Sequence, residues 1–196
     1  MEEAAGPGYP RGVKLGVDVG MVRVGLAASD RDGIIATPVA TLKRDSKGKR
    51  DIRIIMAESA QREAVEVFVG LPRSLNGGET ASTQMAREYA AEVAAALRDA
   101  GQIANVRLID ERLSTVSAHR SLREAGLKTT EHRKLVDQVA AVEILQHAID
   151  MQRSLGRDVG DPVAARQRNR EKAGSLTPME EPVISETTIS VREHEL

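Results

Sequence analysis

The sequence predicts an α/β protein built on a mixed five-stranded sheet, three antiparallel strands then two parallel ones, with helices on both faces. Three observations predict it. Residues 13–42 hold three apolar runs separated by glycine-bearing turns. From residue 46 onward, helical patterns alternate with short apolar runs at 65–70 and 106–109, the rhythm of strand–helix crossovers. Hydrophobic residues make up 41% of the 196 positions but aromatics only 2%, so a sizeable core is available and it must be aliphatic.

The first strand covers about 13–19, where Val13, Leu15 and Val17 alternate with Lys14, Gly16 and Asp18. Gly20 permits the reversal into a second strand at 22–29, carried by Val22, Val24 and Leu26 with small Gly25, Ala27 and Ala28 among them. Asp30-Arg31-Asp32-Gly33 is a turn of the Asp-Gly kind, and Ile34 to Leu42 is a third strand that Pro38 confines to an edge or a bulge. Ser46 or Asp51 is positioned to cap a helix running to about Glu63. Val65 to Gly70 is a short, buried strand expected to run parallel to the first, and the loop from Leu71 to Gly78 lies at its C-terminal end, where open α/β sheets bind ligands. An alanine-rich helix follows from Thr80 to Ala100, stopped by Gly101, then a fifth strand at 106–109. A helix capped by Ser114 or Thr115 and ended by Gly126 precedes a last one from Glu131 to about Arg153, with a seam of Leu135, Val139, Val142, Leu145 and Ile149. Residues 1–12 are expected to form a disordered arm, 13–153 the folded domain, and 154–196 a mostly disordered tail.

Composition removes several classes. Cysteine is absent, which excludes a disulfide scaffold and thiolate metal sites. No apolar run reaches the ~20 residues of a membrane span, and the first dozen residues lack the basic and apolar regions of a signal peptide, so a cytoplasmic protein is expected. The net charge of −1 gives no global basic field, but Lys43 to Arg53 carries six basic and two acidic residues, and Arg107 to Lys134 carries seven basic and four acidic ones. Such runs are most often solvated faces; beside acids capable of chemistry they suit a polyanionic substrate.

Three carboxylates stand out by position. Asp18 ends the first strand, Glu111 follows the fifth, and Asp137 lies on the last helix with Ala140, Ala141 and Ile144 at neighbouring helical positions. A charge among apolar and small residues is costly unless it is paired or binds a cation. An all-oxygen donor set favours Mg²⁺ or Mn²⁺, and two such ions roughly 3.5–4 Å apart clamp the oxygens of a phosphoryl displacement. His119, His132, His147 and His194 show no ligand spacing.

Four segments together carry a resemblance: Leu15-Gly16-Val17-Asp18-Val19-Gly20 with Arg23-Val24-Gly25-Leu26-Ala27 and Ser29-Asp30; Val69-Gly70-Leu71-Pro72 with Gly77-Gly78; Asp110-Glu111-Arg112-Leu113-Ser114-Thr115; and Asp137-Gln138-Val139-Ala140-Ala141-Val142-Glu143-Ile144-Leu145. Over residues 13–150 the chain resembles the YqgF/RuvX family, known as pre-16S ribosomal RNA nucleases and as Holliday-junction resolvases. The resemblance implies a ribonuclease H-like fold and a nuclease with Asp18, Glu111 and Asp137 as catalytic and metal-binding residues. It also implies Mg²⁺ or Mn²⁺, with two ions, as cofactor. Arg23 and Arg112 are the candidate substrate contacts; a basic pair of the family is represented here by Val22-Arg23, with one basic residue. The expected partner is structured RNA, above all the 5′ end of the small-subunit ribosomal RNA precursor, with branched DNA, a non-catalytic RNA-binding role and a sugar-kinase-like ATPase as alternatives. The chain is expected to be a monomer or homodimer and not to engage a membrane.

Overall fold

The computed structural model describes residues 8–74, 78–111 and 130–164, with side chains in the last segment from residue 138 onward. The elements are β1 (Lys14–Val19), β2 (Arg23–Ser29), β3 (Ala36–Lys43), α1 (Arg50–Gln61), β4 (Glu66–Leu71), α2 (Ala81–Asp99), β5 (Asn105–Asp110), α3 (Thr130–Leu155) and β6 (Asp161–Pro162). The sheet runs in the order β3-β2-β1-β4-β5-β6, with β1–β3 antiparallel and β1, β4 and β5 parallel. This is the ribonuclease H-like arrangement. The expected strand count is one short, because β6 pairs antiparallel with β5 through only two residues, too few for any sequence period. The helix expected from Ser114 or Thr115 lies outside the described residues.

Alternation along the strands sorts side chains to the two faces. Leu15, Val17, Val24, Leu26, Val67, Val69 and Leu108 point to one face and pack against α1 and α2. Ala27, Phe68 and Ile109 point to the other, where α3 packs through Ala141, Ile144, Leu145, Ala148 and Ile149. This corrects the predicted seam. Val139 is 41% exposed, and the buried stripe is shorter-chained than the larger apolar residues suggested. The reason lies in β1. A Cβ on Gly16 would stand 2.6 Å from the backbone oxygen of Ala141 and 2.6 Å from Cβ of Leu145, so the helix backbone almost touches the strand. Only small residues fit so close a crossing.

Local signals decide the ends. Asp30 accepts the backbone N–H of Ile34 at 2.6 Å, and Gly33 adopts φ +65° in that turn. Pro38 sits opposite Ala27 where the β2–β3 register shifts, the bulge its ring requires. Neither Ser46 nor Asp51 caps α1. Its N-cap is Lys49 with left-handed φ 54°, while Asp45 holds the turn by accepting N–H groups of Gly48 (2.8 Å) and Arg50 (3.4 Å). Asp51 is instead buried, accepting from Arg44 Nη1 and Tyr89 OH, each at 3.2 Å, with the Arg44 guanidinium 4.2 Å from the Tyr89 ring centroid. Burial, and then the Asp51 charge, push the Tyr89 phenol far above its ordinary value, so it remains a donor. Thr80 caps α2 with a capping box to Thr83, and Gly101 at φ +69° ends it as expected.

At the N-terminal ends of the parallel strands lies a buried ionic cluster. Glu66 accepts from Gln152 Nε2 at 2.9 Å and pairs with Lys14 Nζ at 3.3 Å and Arg107 Nε at 3.5 Å. Burial pushes the Glu66 carboxyl up, against the pull of Gln152 and Lys14. Lys14 Nζ also donates to Pro10 O at 2.6 Å, Gly8 pairs with Arg157, and Arg107 pairs with Asp158. Residues 8–12 and 156–162, expected in the arm and tail, therefore close this end of the sheet. No helix among the described residues is long and apolar enough to cross a membrane.

Two substitutions test these contacts. Gly16→Ala should destabilise the fold by about 1–3 kcal/mol, because a backbone has to move to make room; chemical denaturation measures it. Tyr89→Phe should cost about 1–3 kcal/mol in the same assay by leaving a buried carboxylate short of a donor.

Candidate active site

The α3 face of the sheet changes character along the strands. Its foot is the Lys14–Glu66–Arg107 cluster and its middle is apolar. Its upper end, at the C-termini of the parallel strands, carries Asp18 and Glu111. Strand alternation puts Asp18 on this face because Gly16, two residues earlier, meets α3. The same alternation carries Glu111 to this face from Ile109.

Both carboxylates are buried, each residue 3% exposed. The register explains how two strands that do not touch bring them to one place. Val17 pairs with Val69, which puts Asp18 level with Gly70 on β4; Leu71 pairs with Asp110, which puts Glu111 one step beyond. Gly70 therefore lies between the two acids and has no side chain. A Cβ there would collide with Glu111 Oε1 and stand 2.5 Å from Ile144 Cδ1. The missing side chain makes a cradle that the longer glutamate fills, folding back over β4. On the other side Asp18 pairs with Gly25, again a position without a side chain. Two glycines thus flank the Asp18 carboxylate across the sheet, an approach to the backbone that any larger residue would obstruct.

The third predicted acid, Asp137, belongs to α3 by its backbone, three and four residues before buried Ala140 and Ala141. Its side chain lies outside the described residues, as does Arg112 entirely. Among the described residues no group of three potential metal ligands comes together. Arg23, the other predicted contact, opens β2 half-buried, one alternation beyond Gly25 on the carboxylate face. Two residues of this end escaped sequence reasoning. Gly70 was legible only as part of a motif, and Lys43 only as one cation in a run, but the ladder sets Lys43 directly opposite Arg23.

The donor set, carboxylate oxygens and no sulfur, fits a hard divalent cation. A cleft of about 190 Å³ opens nearby, between the end of β5 and β6, lined by Arg73, Asp110, Met151 and Asp161 among others. Arg73 Nε is 3.8 Å from Asp110 Oδ2 there, too long for a direct hydrogen bond.

A ribonuclease H-like sheet with buried acids at the C-terminal ends of its central strands defines the class. Within it, the sequence model of the family described as RuvX, Holliday junction resolvase, matches residues 12–151, and the chain belongs to that family. Among its relatives, a protein of Frankia casuarinae is 49% identical over 141 residues, 72% of this chain and 68% of its own length. One of Kineococcus radiotolerans is 48% identical over 170 residues, covering 85% and 88%. One of Mycobacterium ulcerans is 49% identical over 153 residues, covering 78% and 87%. All three bear the name "Putative pre-16S rRNA nuclease". Among solved structures, Thermus thermophilus RuvC in complex with a Holliday junction substrate aligns with a TM-score of 0.47 at 15% identity, over 76% of this chain and 99% of that one.

Gly70→Ala should cost less stability than Gly16→Ala in parallel denaturation curves. The atoms it meets are side-chain ends that can swing away, whereas Gly16 faces a helix backbone.

Proposed function

We propose that the chain is a divalent-metal-dependent nuclease that hydrolyses phosphodiester bonds in structured RNA, acting in 5′-end maturation of pre-16S ribosomal RNA. The observation that carries this reading is the pair of buried carboxylates, Asp18 and Glu111, on either side of the bare Gly70 position at the ligand-binding end of the sheet. Membership of the family and the shared name of relatives at 48–49% identity support the choice of reaction and substrate.

In this reading Asp18, Glu111 and Asp137 hold Mg²⁺ or Mn²⁺. When bound, such ions neutralise charge on the phosphoryl oxygens and lower the pKa of bound water. The protein's own part is positioning. Asp18 is fixed by a central strand paired on both edges, and Glu111 by its contact with Gly70. Gly25 leaves space for a phosphate to approach β2. Arg23 and Arg112 supply charge for the phosphate backbone. Burial of the acids excludes competing water and strengthens every charge interaction at the site. The description of the family favours one other substrate, branched DNA, cut by the same acids.

Asp18→Asn and Glu111→Gln should each lower cleavage of a pre-16S RNA fragment by at least ~100-fold, the scale of losing one preorganised electrostatic group, with unchanged thermal denaturation. Gly70→Ala should lower cleavage roughly 10-fold, because a shift of about 1 Å in a catalytic group has effects of this order or larger. A four-way DNA junction run beside the RNA separates the two substrates. RNA cleavage that survives in both acid variants would remove these acids from the reaction.

A further inference from the structure

The basic run from Lys43 to Arg53 changes meaning once it is folded. As sequence it mixes six cations with two acids. In the structure both acids are engaged, although Asp45 stays charged at the surface, near Arg53. Asp51 is 1% exposed and held by Arg44 and Tyr89. Asp45 is tied into the turn by the N–H groups of Gly48 and Arg50, and those bonds, that to Gly48 foremost, keep its carboxyl below the usual carboxylate range. Two cations are engaged as well: Arg44 on Asp51, and Lys49 on Glu92 at 2.7 Å. What remains on the outside is Lys43, Lys47, Arg50 and Arg53, all exposed, and among the described residues none of these four ends in an ion pair.

The position of this strip is set by the ladder. Lys43 lies opposite Arg23, two rows along from Asp18, Gly25 and Thr41 and on the same face of the sheet. Arg44 N–H donates to Val22 O at 2.9 Å, pinning the chain to the β1–β2 turn before it rounds the sheet edge. Lys47 lies in the turn, and Arg50 and Arg53 are one helical turn apart at the start of α1, which packs on the opposite face. The cations thus lead from the carboxylate face, around the end of edge strand β3, to the far face.

We infer that this strip is a track for the phosphodiester backbone of a single strand of nucleic acid flanking the scissile bond. The inference rests on the nuclease reading and adds where the substrate continues and in what form. A single strand can follow a path that bends around a sheet edge, whereas a duplex, with a persistence length of about 50 nm, resists bending on that scale. Each neutralised phosphate of a single strand adds about 0.7 to the salt-dependence slope of binding.

The test is binding without divalent metal, by fluorescence anisotropy, of an RNA hairpin bearing a single-stranded tail of about ten nucleotides, within the usual range of single-strand site sizes, and of the same hairpin without the tail. The full chain should prefer the tailed hairpin. In the Lys47→Gln/Arg50→Gln/Arg53→Gln variant the preference should vanish and the salt slope for the tailed RNA should fall by about 2, three contacts at ~0.7 each. An Arg62→Gln/Arg98→Gln variant, altered near the opposite ends of α1 and α2, should keep the preference. Persistence of the preference in the triple variant, or equal loss in the control, overturns the track while leaving the nuclease reading standing. If the unaltered chain binds neither hairpin, nor DNA hairpins of the same sequence, the nuclease reading fails and the track with it.

Discussion

The structure depends on one close approach. Helix α3 lies almost in contact with strand β1 because Gly16 has no side chain and Ala141 has a short one. A helix so near the sheet can bury only small or flat-lying residues along its stripe, which is why Ala140, Ala141 and Ala148 alternate with Ile144, Leu145 and Ile149. The core on the other face is held differently. There α1 and α2 stand over Val, Leu and Tyr side chains, and the buried Asp51–Arg44–Tyr89 group ties both helices to the end of β3.

That close contact organises polarity along a single face. Polar groups are excluded from the middle, where Ala27, Phe68 and Ile109 meet the helix, and are gathered at the two ends. At the foot they are ion-paired with one another. Glu66 is surrounded by Lys14, Arg107 and Gln152, and residues 8–12 and 156–160 fold over them. At the upper end two acids share a recess with glycines on either side of Asp18. An ionic lock at one end and a carboxylate recess at the other use the same chemistry to opposite effect. Three donors close around the buried Glu66, while at the upper end Glu111 fills the space beside Gly70 and no side chain stands at Gly25 opposite Asp18.

Much of this was legible in the sequence, for reasons that can be stated residue by residue. Alternation from Val13 to Leu26 identified the antiparallel pair, and Pro38 identified the bulge, since a ring without an N–H cannot sit in a regular ladder. Thr80 and Gly101 bounded α2 because cap chemistry is local. The errors arose where distant parts of the chain decide. Asp51 looked like a cap but is claimed by Tyr89, 38 residues away. Val139 looked like core but faces outward, because the close crossing favours its alanine neighbours. Strand β6 has two residues and exists only because β5 offers an edge.

The sequence by itself determined the order of β1 to β5 with α1, α2 and α3, the membership of the RuvX family through motifs at fixed spacing, and which acids to examine. Only the tertiary structure decided that Asp18 and Glu111 come to the same end of the sheet on either side of Gly70, because that depends on the β1–β4–β5 register and on a side chain that is absent. Only the tertiary structure, too, decided which charges of the Lys43–Arg53 run face solvent. A charge count is additive along a chain, but exposure is not: it depends on which partner each side chain finds once the chain has closed on itself.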